Sequence, residues 1–316
     1  MNLAFGNPSS TARVVTFQVA PLAVPLRFEV AEAAAVEPVE TACRAWEGPA
    51  GPGPALRLRI ELSAALSGTG RATMAVDGGL VQVRGPGVAA RADLDHGCAH
   101  CAVSVEYLDD PPALFREAIE PLVLMLMSRR DRTPLHASGF LVDGLAILLA
   151  GRSGAGKSCL ARAADTAGLQ VLSDDAVFVQ LEPRLTVWGW PGAAHLLGQD
   201  APDPTAPTRI RGGRRKHVVP LRSASVGAVR CHRAVLCLLA RSDGEMPELE
   251  PISATAARQR LWPLDDGFDL LPGPIARVVA RLAAAGAWEL RLTSDPAQAV
   301  GLLAARVAQL SGTAAQ

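Results

Sequence analysis

Lysine is almost missing from this chain. Of its 31 basic residues only Lys157 and Lys216 are lysine, and arginine serves everywhere else, the mark of a coding bias. The two survivors stand out as places where a compact point charge is wanted rather than a planar fork. An excess of either charge is missing too. The 31 acidic residues equal the basic ones, so no global field draws the protein to nucleic acid or lipid, and neither a specific nucleic acid nor a membrane is expected as a partner. Long apolar runs are absent: the longest in the middle, Pro121 to Met127, is far too short to cross a bilayer, and those near the end are broken by Arg277, Arg281 and Arg291. Met1 to Val15 holds no basic stretch followed by an apolar one, so no secretory signal is expected and a cytoplasmic location is. The six cysteines, Cys43, Cys98, Cys101, Cys159, Cys231 and Cys237, are scattered, which fits free thiols in a reducing compartment better than a disulfide framework. No internal repeat is present.

What remains is a chain of 316 residues, about half of them apolar, long enough for one large core or two modest domains. Residues 1–110 read as β-rich. Arg13–Val19, Leu56–Leu62, Ala72–Val76, Leu80–Arg84 and Ala102–Tyr107 are the expected strands, several alternating apolar with polar residues. Gly48 to Ala55 reads as a loop. Asp109-Asp110-Pro111-Pro112 signals a helix start, with the helix running to about Arg130 and kinked at Pro121. This helix is taken as the opening of a second domain, 111–316.

From Leu135 the pattern sharpens. Ala137–Val142 and Leu145–Ala150 are apolar runs joined by Asp143-Gly144, a strong hairpin signal. A helix from Lys157 to about Ala167 ends at Gly168, and the strand Leu169–Ser173 delivers Asp174-Asp175. Ala176–Leu181, Leu185–Trp190, Ala234–Ala240 and Trp288–Leu292 read as strands. Residues 199–224 read as a mobile Pro/Gly/Arg-rich loop, and helices are expected at Ala254–Trp262, Pro274–Ala285 and Ala297–Leu310.

Gly151-Arg152-Ser153-Gly154-Ala155-Gly156-Lys157-Ser158 matches the Walker A pattern in full, with an apolar strand before it and an amphipathic helix after it. The loop's backbone N–H groups and the following helix N-terminus cradle phosphates. Lys157 is expected at the β- and γ-phosphates, and the Ser158 hydroxyl on Mg²⁺. The expected ligands are therefore ATP and Mg²⁺. Asp174-Asp175, at the end of the next strand, should open on the same sheet edge as the loop. One carboxylate there can hold metal while the other accepts a proton from an attacking hydroxyl. The acidic clusters Asp109-Asp110 and Asp265-Asp266-Gly267 read instead as caps or turns.

Leu135-His136-Ala137-Ser138, the hairpin, the phosphate loop and Leu172-Ser173-Asp174-Asp175 together resemble the HPr kinase/phosphorylase family and its shorter relatives, among them kinases of lasso-peptide and other ribosomal-peptide modification systems. The resemblance spans roughly residues 134–222. It implies an α/β fold shared with ATP-type phosphoenolpyruvate carboxykinases, here with a β-rich N-terminal module, and transfer of phosphate from ATP to a serine hydroxyl. By the same match, His136 would lie near the transferred phosphate and orient the carboxylates, Asp174 would be the base, and Asp175 the metal-holding or hydrogen-bonding partner. The glycine-rich signature with a Glu-Ile-Arg-Gly core has no counterpart after the loop, and residues 1–110 are unlike that enzyme's N-terminal domain, so neither HPr as a substrate nor phosphorylase activity is expected. The segment Arg211 to Leu221 is similar to the basic segment of the peptide-tailoring relatives. Arg214, Arg215 and Lys216 are expected to clamp the γ-phosphate or an acidic acceptor. A peptide or small-protein acceptor follows, such as a lasso-type precursor. An ATP-sensing regulator and a kinase for a small-molecule hydroxyl stand as alternatives, and a homo-oligomer is left open.

Three weaker signals complete the reading. His96, Cys98, His100 and Cys101 form a compact set of soft ligands, read mainly as a surface loop with free thiols and secondarily as a structural zinc site. Cys159 reads as packing. His195 and His232 have no partner that the sequence names.

Overall fold

The computed structural model describes residues 14–190, 192–201, 203–211, 214–223, 228–261 and 272–313. Arg13, the Gly212-Gly213 tip of the basic segment, Trp262 and the turn expected at Asp265-Asp266-Gly267 lie outside them. The fold is mixed α/β with several sheets and a β-rich N-terminal region, and the chain divides into two compact units, Met1–Arg130 and Asp131–Gln316.

The first unit contains β1 (Val15–Val19), β2 (Leu26–Val30), α1 (Val36–Cys43), β3 (Leu56–Leu62), β4 (Thr73–Asp77), β5 (Leu80–Gly85), β6 (Val88–Asp93), β7 (Cys98–Val103), α2 (Pro111–Leu114) and α3 (Glu120–Ser128). The strands form one sheet in the order β1-β2-β3-β7-β6-β5-β4, with β2, β3 and β7 parallel and the other pairs antiparallel. Alternation sorts the residues. Leu26, Phe28, Val30, Leu56, Leu58 and Ile60 are fully buried on one face, while Arg27 and Arg57 are exposed on the other.

Asp110 caps α2 by accepting from the Ala113 N–H at 3.0 Å, as its place before two prolines predicts. Between α2 and α3 the backbone takes a π-helical turn, Phe115–Ile119, just before Pro121. Proline cannot donate to the preceding turn and its ring crowds it, so the helix accommodates it with a wider turn. The segment 111–128 packs on β5, β6 and β7, and the boundary falls at Arg130/Asp131 rather than at 110/111. The apolar residues Leu114, Ile119, Leu122, Val123 and Leu126 are wholly buried, which makes this helix the cover of the first sheet rather than the start of a second domain.

The second unit contains β8 (Thr133–Leu135), β9 (Ser138–Val142), β10 (Leu145–Ala150), α4 (Lys157–Thr166), β11 (Val171–Ser173), β12 (Val177–Gln180), β13 (Thr186–Gly189), β14 (Ala193–Leu196), β15 (Thr208–Arg211), β16 (Arg214–Pro220), β17 (Val229–Cys231), β18 (Ala234–Arg241), β19 (Glu248–Ile252), α5 (Ala254–Leu261), α6 (Pro272–Ala285), β20 (Ala287–Leu292) and α7 (Pro296–Thr313). The main sheet runs β11-β9-β10-β18-β20-β19. A four-stranded sheet runs β17-β13-β12-β8, and a three-stranded one β14-β16-β15.

The central strands read as continuous apolar runs because both faces are covered. Ile147 and Leu149 of β10, with Val235, Cys237 and Leu239 of β18, face α4 and α7 through Leu160, Ala164, Val300 and Leu303. Ala146, Leu148, Leu236 and Leu238 face α5 and α6 through Ala257, Val278 and Leu282. Asp143 and Gly144 turn the β9–β10 hairpin with φ of 47° and 72°. Two positive φ angles in a two-residue turn match the strand twist, and Asp-Gly tolerates them.

The stretch 199–224, expected as a mobile loop, instead carries β15 and β16, an antiparallel pair with Arg209 opposite Lys216. β16 also pairs with β14, and Ala194, Leu196, Val219 and Leu221 bury their side chains in the core beside α4. Apolar residues at every second position anchor the ribbon despite its Pro/Gly/Arg-rich surroundings.

Asp165, near the end of α4, fastens the segment following that ribbon. Its carboxylate accepts from the backbone N–H groups of Arg222 at 2.9 Å and Ser223 at 2.8 Å, and from Arg162 at 2.7 Å. Burial works against its charge, but the N–H groups of Arg222 and Ser223, the Ser223 hydroxyl and Arg162 outweigh burial and hold the carboxyl below its usual range. Asp165→Ala leaves buried donors unpaired and is expected to cost about 2–3 kcal/mol in urea unfolding at neutral pH. Because the folded pKa lies below the unfolded value of about 3.9, this stability is present above that pH and lost as pH falls through the folded value. The gap between wild type and variant should therefore narrow below about pH 4. A gap that is constant with pH counts against the charge as its source.

Candidate active site

The phosphate loop leaves the end of β10 and enters α4. Gly154 and Gly156 have φ of 84° and 108°, a region L side chains rarely adopt, and these angles turn the backbone around the loop. Lys157 is buried, and its Nζ donates to the carbonyls of Gly151 at 2.5 Å and Arg152 at 3.3 Å. Ser153 and Gly154 are exposed, while Ala155, Gly156 and Ser158 are half-buried at the start of α4.

The carboxylate pair reaches the same edge by an indirect route. β11 is antiparallel to β9, which is itself antiparallel to β10. Two reversals restore the direction, so β11 ends where β10 ends without pairing with it, and Ser173 is level with Gly139. The pair therefore opens on the expected edge, with β9 intervening between β10 and β11.

The two carboxylates then part. Asp174 is 5% exposed. Its Oδ2 accepts from the backbone N–H of His195 at 2.8 Å and lies 3.3 Å from that residue's Nδ1. Ser138, fully buried, donates its hydroxyl to the Asp174 main-chain carbonyl, with Oδ1 at 3.3 Å. The Asp175 side chain is 41% exposed, with His136 Nδ1 3.9 Å from its Oδ1. The structure thus sets Asp174 inward against Ser138 and His195, and Asp175 outward beside His136.

The basic segment arrives on the ribbon. Opposed residues in antiparallel strands share a face and successive ones alternate. His195 is opposite Val218 and Arg209 opposite Lys216, so Arg214, Lys216, Arg209 and His195 share one face, the one that meets Asp174. Arg214 reaches the loop: its Nη1 lies 3.6 Å from where a Cβ on Gly154 would sit. Arg215 falls on the other face of the ribbon, with His217, and is not brought to the loop by strand geometry.

Sequence reasoning missed four residues here. Ser138 was legible only as a motif letter, and His195 had no local signal. Arg209 lies in a stretch read as loop. Arg241 ends the apolar run of β18, and its Nη2 donates to the Gly154 carbonyl at 3.2 Å. Ending a strand parallel to β10 was the one signal that could have marked it. Cys159, next to Ser158, is an inert thiol: burial, together with the Asp200 carboxylate it donates to, pushes it up to about 11. His232 is held away from this site, its Nε2 2.7 Å from Arg184 and its Nδ1 3.0 Å from Thr186.

The cysteine–histidine cluster of the first unit lies largely in β7 rather than in a loop. Cys98 and Cys101 are three residues apart on a strand and fall on opposite faces, so the two cannot hold one ion together. His96 Nδ1 lies 2.8 Å from Asp93, and His100 Nε2 3.0 Å from Glu61. Among the described residues no group of three or more His, Cys, Asp or Glu side chains is arranged to hold a metal ion. No described helix is long and apolar enough to cross a membrane.

No family model matches the chain, and no curated protein matches it. Among solved structures, the Hpr(Ser) kinase/phosphatase from Coxiella burnetii aligns at 12% identity over 57% of this chain and 98% of that chain, with a TM-score of 0.31, a likeness too distant to carry an inference.

The asymmetry of the pair gives a test. Asp174→Ala orphans the His195 N–H and should destabilise the protein by about 1–3 kcal/mol. Asp175→Ala, at an exposed position, should stay within about 0.5 kcal/mol of wild type. Equal losses in thermal unfolding would contradict the inward–outward division.

Proposed function

We propose that this protein is an ATP-dependent phosphotransferase that phosphorylates a serine hydroxyl on a peptide or small protein. The observation that carries the reading is one crevice edge that gathers a complete phosphate loop, two carboxylates of unequal access, and the cations Lys157, Arg214 and Arg241. A sensor that only binds nucleotide has no need of an open carboxylate beside the loop. The peptide acceptor, with a lasso-type precursor as first choice, rests on the motif resemblance and on the basic ribbon face.

In this reading the loop N–H groups and Lys157 hold the β- and γ-phosphates, and Lys157 exchanges its present carbonyl partners for phosphate oxygens. Arg214 meets the charge that spreads over the transferring group. The Ser158 hydroxyl is an oxygen donor that fits Mg²⁺, a cation that keeps phosphates and water as its other ligands. When bound, Mg²⁺ would supply neutralisation of phosphate charge. The acceptor oxygen bonds to the γ-phosphorus as the bond to the β–γ bridging oxygen breaks, and the hydroxyl proton passes to a carboxylate. Access favours Asp175 for that proton, since Asp174 is nearly enclosed and already engaged by His195. This moves the base role from Asp174, where the motif implies it, to Asp175 and makes Asp174 a positioning residue.

Incubation with γ-labelled ATP and the small peptides encoded beside the gene, read by mass spectrometry, tests the reading. Lys157→Ala should lower transfer at least about a hundredfold, a loss of roughly 3 kcal/mol of transition-state stabilisation, in a protein that remains folded. Near-normal turnover in that variant would remove the central claim. Asp175→Asn should lose transfer while still binding ATP. Binding without transfer to any acceptor in the wild-type protein would favour the sensor.

The ribbon gives a second test. If Arg214 acts on the transferring group, Arg214→Ala lowers kcat; if Lys216 docks an acidic acceptor, Lys216→Ala raises the acceptor KM, and the effect shrinks with added salt. Changes under about twofold in all constants would mean the ribbon is structural only.

A further inference from the structure

β16 turns its backbone groups alternately to β15 and to β14. The bond from the Val218 N–H to the Pro207 carbonyl sets the phase on the β15 side, because bonded and open pairs alternate along an antiparallel ladder. Arg209 with Lys216 and Arg211 with Arg214 are then bonded pairs, while Thr208 with His217 and Ile210 with Arg215 are open ones. The bond from the Leu221 N–H to the Gly192 carbonyl sets the phase on the β14 side and turns the His195 N–H away from β16. That N–H does meet Asp174, at 2.8 Å.

On β15 the same rule points the N–H and C=O of Thr208 and Ile210 away from β16. Among the described residues β15 is the last strand of its sheet, and Pro207, Thr208 and Arg209 are exposed. Proline does not blunt the outward side: Pro207, which has no N–H, stands at a position that faces β16. A sheet edge of this kind is a template for another extended chain.

Charge decides which chain. From Pro204 to Ser242 the sequence holds no Asp or Glu, and β15 and β16 together contain Arg209, Arg211, Arg214, Arg215 and Lys216. A second copy of β15 would set cation against cation, and like charges directly opposite are destabilising. A neutral strand would gain the backbone bonds alone. An acidic strand gains both, since every second side chain falls on one face and that face can be the one shared by Arg209 and Lys216.

We propose that the edge of β15 is where the acceptor docks: an extended acidic stretch of peptide adds to the sheet through the Thr208 and Ile210 backbone, with its carboxylates toward Arg209 and Lys216. The proposal rests on the peptide-kinase reading above and names the form in which that acceptor is recognised. Main-chain bonds give affinity with little regard to sequence, and the alternate side chains give the choice. The placement suits the chemistry. Arg211, at the end of β15, is opposite Arg214, whose guanidinium lies at the phosphate loop. A strand that follows β15 to that end leads the rest of the acceptor toward the transferring group.

The probe is a short fluorescein-labelled peptide alternating glutamate with threonine, and the readout is anisotropy on the full chain. Wild type should bind it, less tightly as salt is added. Two further copies are N-methylated, one at the glutamate nitrogens and one at the threonine nitrogens. A strand turns only every second N–H to its neighbour, so one copy should lose at least about tenfold and the other stay within about twofold. Thr208→Pro and Ile210→Pro each remove an outward N–H, a change an edge strand tolerates. With a phosphorylatable peptide encoded beside the gene, each should raise the acceptor KM at least about fivefold with little change in kcat, and leave ATP binding within about twofold. Thr208→Val keeps the N–H and should behave as wild type. If both methylated copies bind as the parent does, charge alone holds the peptide and the proposal is wrong. A wild type that binds no probe overturns it as well. If transfer survives both proline variants with an unchanged acceptor KM, acceptors dock elsewhere, and the proposal fails while the kinase reading stands. If wild type pairs with the probe but transfers phosphate to no peptide, the kinase reading fails and the acceptor role of the edge goes with it. Should the proline variants not fold, the methylated peptides decide alone.

Discussion

A carboxyl group taken out of water takes its hydrogen bonds from its surroundings. Asp174 is one such group in the second unit. Its neighbours come from two separate sheets: Ser138 opens β9 in the main sheet, and His195 lies in β14 of the three-stranded sheet. The backbone N–H of His195 is the decisive donor, because it ties the position of a whole strand, and not just a rotamer, to the end of β11. β14 carries β16 with it, and β16 carries Arg214 to the phosphate loop. One buried side chain therefore ties the ribbon of cations to the crevice.

The crevice itself follows from strand direction. In open α/β sheets ligands collect outside the carboxyl ends of the strands. Here β10 and β18 are parallel, with Ala150 opposite Leu238, and β18 runs on past the end of β10 to Arg241, which bonds the phosphate loop at Gly154. The hairpin partner β9 runs the other way and begins at this edge, which is why Ser138, the first residue of a strand, can meet Asp174, the residue following the last of another. A tight Asp-Gly turn at the far end is what makes that exchange possible.

Much of this was legible in the sequence where a local rule has no competitor. Eight residues spell the phosphate loop, the Asp-Gly pair marks the hairpin, and Leu56–Leu62 matches its observed strand residue for residue. The misses share a cause. β14, β15 and β16 are short, polar or Pro/Gly-flanked, and they exist because neighbouring strands pair with them and because Val219 and Leu221 find a core, which is tertiary context overriding propensity. His195 gives no local sign of its role, since its partner lies 21 residues away. The Cys98–Cys101 spacing looks like a chelating pair only until the segment is known to be a strand, where a step of three reverses the face. The helix 111–128 was legible as a helix, but no sequence feature told which sheet its apolar side would cover.

The state of Lys157 bears on how binding energy can be used at this site. Its ammonium donates to the carbonyls of Gly151 and Arg152 and sits almost out of solvent. Moving it onto a phosphate exchanges neutral acceptors for charged ones, and charge-assisted hydrogen bonds are roughly twice as strong. Against that gain stands the loss of the loop's own bonds, so the net contribution of Lys157 to ground-state affinity is smaller than its charge alone implies. That offset is already complete once the nucleotide is bound. In the proposed transfer, any further attraction as charge builds on the transferring group would fall on the transition state. Only interactions that strengthen on that path raise kcat. Arg241 is bonded to the loop from outside, at the Gly154 carbonyl, so in the proposed reaction Arg241 and the glycine turns would hold the cradle's shape while Lys157 and Arg214 would respond to moving charge.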